Sequence, residues 1–388
     1  MVDFTVPAET RLLVETVGRF VRTQLQPLEE IVEAQAAVPP EDLARLKQQA
    51  KDLGFYAMNM PAEVGGGGLS TVDLVYVEEQ LGQTSDALIR RVFGQVYEML
   101  LSCQGDQRDR YLLPLVRGDK ICCMAITEPG AGSDAASIGT FAREDGDDFI
   151  LSGRKHFISD GDIADFAVVM ALTDREKRAR GGITLFLVDK ATPGFTVGKK
   201  QPMMGHRGYG HAELVFEDCR VPRSQILGEI GWGFRLIMGS VSKVRLHHIG
   251  ARSVGMASRL LSMCTDYANQ RVQFGSKIGD FQMIQEKLAD MAAEIYATRS
   301  MVLNAAWELD QGNERRDKMS MVKLYASEML GRCADRAVQI FGGMGFCKEM
   351  PIERIYRDCR VLRIFDGTSE VHRMLIARSL LKNGWQLD

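Results

Sequence analysis

No apolar run in this 388-residue chain approaches the roughly 18 residues that a membrane-spanning helix needs, so insertion into a bilayer is not expected. The 8 cysteines include no C-x-x-C pair, and Cys122 and Cys123 are adjacent. That usage reads as reduced thiols of a cytoplasmic protein, with no metal site. Neither charge sign dominates: 48 Lys and Arg stand against 51 Asp and Glu, a net charge of −3. So even a balance argues against nucleic acid or an anionic membrane as partner. The start, Met1 to Glu9, is acidic and broken by Pro7, unlike a signal peptide or an Arg-rich transit peptide. There is no internal repeat and no low-complexity tract. The glycine clusters lack the preceding strand and βαβ context of a dinucleotide-binding fingerprint.

What is present points to an ordinary buried core. The chain is 45% hydrophobic and long enough for two or three structural units. From about residue 8 to 118 the pattern is helical. Pro39-Pro40-Glu41-Asp42 opens a helix with Leu43, Leu46 and Leu53 near a helical period, and Thr71 restarts a helix after the four glycines 65–68. From about 120 to 228 short β-like runs follow: 149–151, 166–170, 183–188 and 212–216, separated by turn residues. No helices intervene, so an antiparallel sandwich or barrel is expected rather than βαβ units. From about 232 to 382 long helices return, with Ile284, Leu288, Met291, Ile295, Met301 and Val302 on one stripe. The expected domains are 1–119, helical; 120–229, β; and 230–388, helical. This is an α+β chain, mostly α, and a doubly wound parallel sheet is disfavoured.

Two stretches carry the chemistry. Arg363-Ile364-Phe365-Asp366-Gly367-Thr368 sets a carboxylate beside apolar residues, before a glycine turn and a hydroxyl. Ile126-Thr127-Glu128-Pro129-Gly130-Ala131-Gly132-Ser133-Asp134 is the second. With Leu53-Gly54-Phe55, Arg271-Val272-Gln273-Phe274-Gly275 and Gln339-Ile340-Phe341-Gly342-Gly343, they resemble the acyl-CoA dehydrogenase family in motif and in order. The resemblance runs along nearly the whole chain. It implies a helical N-terminal domain, a central β-barrel or sandwich and a C-terminal four-helix bundle. It also implies FAD as cofactor.

On that resemblance, Met124, Ile126 and Thr127 lie along the flavin, with the Thr127 hydroxyl near its N5. Gly130, Ala131 and Gly132 allow close backbone approach. Ser133 reaches a phosphate of the cofactor or the pantetheine of the substrate. Lys155-His156-Phe157-Ile158-Ser159-Asp160 resembles the family's Lys-x-Trp-Ile-Thr-Asn, so Phe157 would pack on the flavin and Ser159 contact it. By itself a strand phenylalanine reads equally as core. Arg271, Phe274, Gln339, Gly342 and Gly343 match residues that reach the cofactor from a neighbouring subunit. Arginine suits phosphate because its planar fork bonds two oxygens. Thr368 and Glu370 belong with the cofactor-binding residues, and Gly367 with the substrate-binding ones. A subunit-interface FAD implies at least a dimer, and in this family commonly a homotetramer, a dimer of dimers.

The family's base is usually Glu, and Asp366 stands in its place, as in a branch that carries Asp there. Burial beside Ile364 and Phe365 would raise Asp366 from the ordinary value of about 3.9. The residue alone also reads as a turn-capping Asp before Gly367. Certain relatives place the base just before the position that Arg245 matches, but Val244 cannot serve. Arg245 would orient the base or meet CoA. The span from Arg245 to Gly255 is one residue longer than the family pattern, which a π-bulge would absorb. His247 and His248 are read as helix residues near the site. Arg90 and Arg91 fall near the base of the acyl pocket. They would meet a polar group on the acyl tail, lie on a solvated helix face, or pair with Glu98. The 20 methionines read as core filler or as lining of an adaptable acyl pocket.

The activity implied is α,β-desaturation of an acyl-CoA in fatty acid metabolism, with hydride passing to the flavin and electrons then to an electron-transfer flavoprotein. Alternatives on the same scaffold are an enoyl-CoA reductase, a non-redox lyase, or a flavin-bearing binding or stress-response protein. Relatives that bind DNA do so through a basic C-terminal extension, and this chain stops at Asp388.

Overall fold

The computed structural model describes residues 6–385; the first five residues of the acidic N-terminal stretch and the terminal Asp388 lie outside the described residues. Helices come first: α1 (Ala8–Phe20), α2 (Glu29–Gln35), α3 (Pro40–Asp52), α4 (Thr71–Leu81), α5 (Asp86–Phe93) and the short α6 (Leu113–Val116). Pro40 opens α3, where its missing N–H is no loss. Leu53 is half exposed because α3 has ended at Asp52. After the glycine run, the Ser70 hydroxyl accepts from the Asp73 N–H at 3.1 Å and caps α4. α4 is buried on nearly every side, including its two glutamates, Glu78 and Glu79. A buried carboxylate needs a partner, and Arg252 and Arg299 supply one to each.

The strands follow: β1 (Cys122–Ala125), β2 (Phe141–Asp145), β3 (Asp148–Ser159), β4 (Phe166–Leu172), β5 (Ile183–Asp189), β6 (Phe195–Lys200), β7 (His211–Pro222) and β8 (Ile226–Leu227). They form one sheet in the order β6-β7-β3-β2-β4-β5-β8, with β1 also on β4. β4 is apolar at every position because both faces are covered: Phe166, Val168, Met170 and Leu172 join one core, and Ala167, Val169 and Ala171 another. Most pairings are antiparallel, as expected, but β1 runs parallel to β4, with Cys122 opposite Phe166.

The last part holds α7 (Gly233–Val244), α8 (Arg252–Gln270), the hairpin strands β9 (Val272–Gln273) and β10 (Ser276–Lys277), α9 (Gln282–Asp310), α10 (Arg316–Phe341), α11 (Gly343–Phe346), α12 (Pro351–Cys359) and α13 (Ser369–Asn383). α8, α9 and α10 share one apolar core, and α13 lies along α10 as the fourth helix of the bundle. Between α7 and α8 the chain runs as a π-helix, Arg245–Ala251. The helical path runs on through it to Gly255, with the wider turn expected of a π-bulge. Gly255 itself is dictated by packing, since a Cβ there would lie 1.9 Å from the Glu79 carbonyl oxygen on α4. Among the described residues no helix is long and apolar enough to cross a membrane.

Candidate active site

Asp366 sits between α12 and α13 in a left-handed backbone conformation, φ +53°, followed by Gly367 at φ +95°. That conformation costs a non-glycine residue on the order of 1–2 kcal/mol, and Asp tolerates it better than most. The turn is held from behind. Arg245, at the start of the π-helix, donates from Nε to the Asp366 carbonyl at 2.8 Å. His372 of α13 places Nε2 3.2 Å from the same oxygen. Lys323 of α10 donates to the Gly367 carbonyl. Thr368 then caps α13, its hydroxyl accepting from the Val371 N–H at 3.2 Å.

The cations thus bond the backbone, and the Asp366 carboxylate has no hydrogen bond or ion pair among the described residues. Burial pushes its pKa above the ordinary Asp value; Arg245 first, then Lys323, His248 and Arg90, oppose the rise without cancelling it. The source of burial differs from the sequence expectation. Ile364 and Phe365 are 52% and 37% exposed, so they are no closed apolar wall beside the carboxylate. Burial also brings Lys323 down to about 8 and His372 down to about 3. His372 is therefore a neutral imidazole, and the carbonyl it faces assigns the proton to Nε2.

The β-domain stretch is built around Lys155. Its Nζ, fully buried, reaches the Glu128 carboxylate at 2.7 Å and the Ile126 carbonyl at 3.1 Å. Glu128 also accepts from the N–H groups of Gly139 and Thr140. These bonds pin the Thr127–Pro129 turn onto β3. Met124, Ile126, Thr127 and Ser159 are half-buried; Gly132 and Ser133 are exposed. A Cβ at Gly130 or Gly132 would meet nothing within 4 Å, so the backbone there is open to a ligand. Phe157 lies at a β-bulge between Lys155 and Ile158, with φ +57° and 49% of its surface exposed. A bulky residue in that backbone region is a true outlier. It is not core: the bulge aims an aromatic ring outward beside Thr127.

Arg90 and Arg91 correct an expectation. They neither lie on a solvated face nor pair with Glu98, which bonds Lys243 instead. Both bond Asp160 at 2.7 Å, with side-chain exposures of 9% and 13% against 5% for the aspartate. Burial raises the Asp160 pKa, but Arg90 and then Arg91 more than reverse it, and the net shift is downward. Arg90 also donates to Gln95 and stacks over Tyr209 at 4.7 Å.

A separate group forms at one end of the helical bundle. Arg271 and Phe274 lie on the β9–β10 hairpin, and Phe274 is 97% exposed. Gln339 and Gly342, also exposed, lie at the end of α10, and the exposed Gly343 opens α11. The stacked rings of Tyr267 and Phe341, 4.3 Å apart, join the two segments. No hydrogen bond, ion pair or ring contact among the described residues ties this group to Thr127, Phe157 or Ser159. Glu370 is exposed in the first turn of α13. His247 is buried and His248 half-buried; their ligand atoms lie within 4.8 Å of a Glu78 oxygen and of each other. The Arg252 guanidinium already holds Glu78, at 2.5 Å, and fills that spot with positive charge.

Three features fit a planar aromatic cofactor with a phosphate tail: the open glycine turn, the outward Phe157 ring and the projecting Arg271–Phe274 hairpin. Sequence reasoning passed over Lys323, His372 and Asp160. Lys323 had a signal: with Met319, Val322 and Ala326 it falls on the buried side of α10, where a lysine is unusual.

Residues 7–119, 123–219 and 231–381 match the models for the N-terminal, middle and C-terminal domains of acyl-CoA dehydrogenase. The chain is 38% identical to a 3-(aryl)acrylate reductase of Clostridium sporogenes over 369 residues, 94% of this chain and 96% of that one. It is also 38% identical to the human short-chain specific acyl-CoA dehydrogenase over 382 residues, 97% and 91% of the two chains. Among solved structures it is similar to butyryl-CoA dehydrogenase from Megasphaera elsdenii, with TM-score 0.89, 32% identity, and 98% and 100% coverage.

Proposed function

This chain belongs to the acyl-CoA dehydrogenase family, FAD-dependent oxidoreductases acting on CH–CH groups, and we propose that Asp366 is the base that removes the α-proton of its acyl-CoA substrate. The observation that carries this is a half-buried carboxylate left without a partner among the described residues, on a turn whose backbone is firmly held. A general base must be free to accept a proton and have a pKa moved toward working pH. Asp366 meets both conditions. The Asp366 N–H makes no hydrogen bond among the described residues, so it is available to polarise the thioester carbonyl and stabilise charge on that oxygen. FAD, when bound, accepts the β-hydrogen as hydride.

Met124, Ile126, Thr127, Gly132, Ser133, Phe157 and Ser159 would hold the ring end of FAD in one protomer, with Thr368 and Glu370 near it. Arg271, Phe274, Gln339, Gly342 and Gly343 of a second copy would hold the other end. The exposure of Phe274 and the lack of contact between the two groups support this shared site. The assembly is then a homotetramer built from dimers, with domains 1–119, 120–229 and 230–388. Arg245 orients the base. Ser133, Gly367 and Arg245 border the thioester and pantetheine, while Arg90 and Arg91 close the acyl pocket through Asp160. Electrons leave to an electron-transfer flavoprotein. The 8 free thiols support a reducing compartment, the cytoplasm.

A second reading runs the reaction backward. It is supported by the 38% identity to a protein named as a reductase. By microscopic reversibility the same Asp366, carrying its proton, would deliver it to the α-carbon of an enoyl thioester. Anaerobic titration with acyl-CoAs of varied length, branching and terminal charge tests both. Bleaching of the flavin by a saturated acyl-CoA supports desaturation. Reoxidation of the reduced protein by enoyl-CoAs, with no bleaching by any saturated one, favours the reductase. Near-normal bleaching in Asp366→Ala with FAD retained would remove Asp366 from its role.

A further inference from the structure

Asp366 is one methylene shorter than the glutamate that the resemblance leads one to expect, so the placement of its backbone decides whether the carboxylate reaches its proton. A misplacement of about 1 Å can lower a rate on the order of a hundredfold. The residue after it is glycine, the residue type with the least restrained backbone. Two peptide planes flank Gly367, and both are gripped: the Asp366 carbonyl by Arg245 and His372, the Gly367 carbonyl by Lys323. The fit is tight, since a Cβ on Gly367 would lie 2.8 Å from the His372 Nε2. His372 and Lys323 are both fully buried, and neither touches the position of a substrate in the mechanism above.

We propose that His372 and Lys323 are positioning residues for proton abstraction, clamping the two carbonyls so that the left-handed turn presents the short carboxylate. This rests on the reading of Asp366 as the base. The two halves of the clamp differ. His372 is neutral across the working range, so its bond does not vary with pH. Lys323 titrates near 8, and its charge also steadies the ionised carboxylate. The groups facing Asp366 are Arg245 and His248 from the π-helix, Lys323 from α10, Arg90 from α5 and His372 from α13. Lys323 is faced in addition by Glu370 and Glu328, and Arg245 by Arg316.

The test separates proton transfer from redox chemistry. The holoenzyme, kept reduced with dithionite so that hydride cannot leave the substrate, is mixed with butyryl-CoA in D2O. Exchange of the α-hydrogens is followed by NMR across pH, with FAD content and melting temperature measured alongside. Asp366→Asn should abolish exchange; wild type exchanging no faster than this variant sinks the base reading itself. With that control in place, His372→Leu and Lys323→Met should each slow exchange about tenfold or more at unchanged FAD content. His372→Gln and Lys323→Arg, which keep a donor, should recover most of the rate. In Lys323→Met the pH midpoint should also rise, because a cation beside the carboxylate is gone. Wild-type rates and an unmoved midpoint in both His372→Leu and Lys323→Met, with Asp366→Asn inactive, would overturn the clamp. Should His372→Leu fail to fold, Lys323→Met and Lys323→Arg decide the question alone.

Discussion

Asp366 and Asp160 are both aspartates in left-handed turns, desolvated by the protein around them and faced by arginines, yet their acidities move in opposite directions. At Asp160 two guanidinium groups bond the carboxylate directly at 2.7 Å. At Asp366 the nearest guanidinium bonds the backbone carbonyl instead. In the first case attraction outweighs desolvation; in the second desolvation wins. What a cation hydrogen-bonds, rather than how near it lies, separates a locked structural ion from a carboxylate that can take a proton.

The largest effect should come from Asp366→Asn. Loss of a general base lowers the rate of flavin reduction by about 10²–10⁴-fold, read by anaerobic stopped flow. The same change should not lower the melting temperature at neutral pH. Native Asp366 holds its proton more tightly than the unfolded chain does, so stability falls as pH rises through its raised pKa. Removing the charge removes that penalty. Asp160→Asn is the mirror image. It leaves two buried arginines short of a counter-charge, and breaking a buried pair costs about 3–5 kcal/mol, so thermal melts should show a clear loss. Because its native pKa is depressed, the stability from Asp160 is present above the ordinary Asp range and fades as pH falls through it. Equal melting shifts in the two variants would erase the contrast.

Smaller effects test the rest of the frame. Arg271→Ala should weaken FAD retention by about tenfold or more, the value of one charge-assisted hydrogen bond, measured by dialysis and flavin absorbance. It should leave the pH dependence of proton abstraction where it was. Smallest, Thr368→Ala removes the α13 cap and should lower stability by about 1 kcal/mol in a urea melt, without relocating the base.

Much of the fold was legible because it rests on local pattern. The period of α9, the strand runs and the one-residue surplus after Arg245 each announced its structure, the last as the π-helix. The parallel β1–β4 pairing was not legible, since β4 is apolar on both faces and shows no alternation that would fix its neighbours. Asp366 could be named from its motif, and burial as the cause of its raised pKa. The cations that oppose the rise, Arg245 and Lys323, lie far from it in sequence and could not be read there. The Arg90–Asp160–Arg91 unit joins residues about seventy positions apart, and a helix arginine carries no mark of such a partner.

Infrared titration of protein labelled with ¹³C at the aspartate side-chain carboxyl follows both acids at once, with Asp366→Asn and Asp160→Asn identifying each band. Asp366 should gain its proton above the ordinary range of about 3.9, and Asp160 should stay ionised below it. An Asp366 band that remains ionised down to the range of free aspartate, or that titrates below Asp160, would contradict a base made available by leaving its carboxylate unpaired.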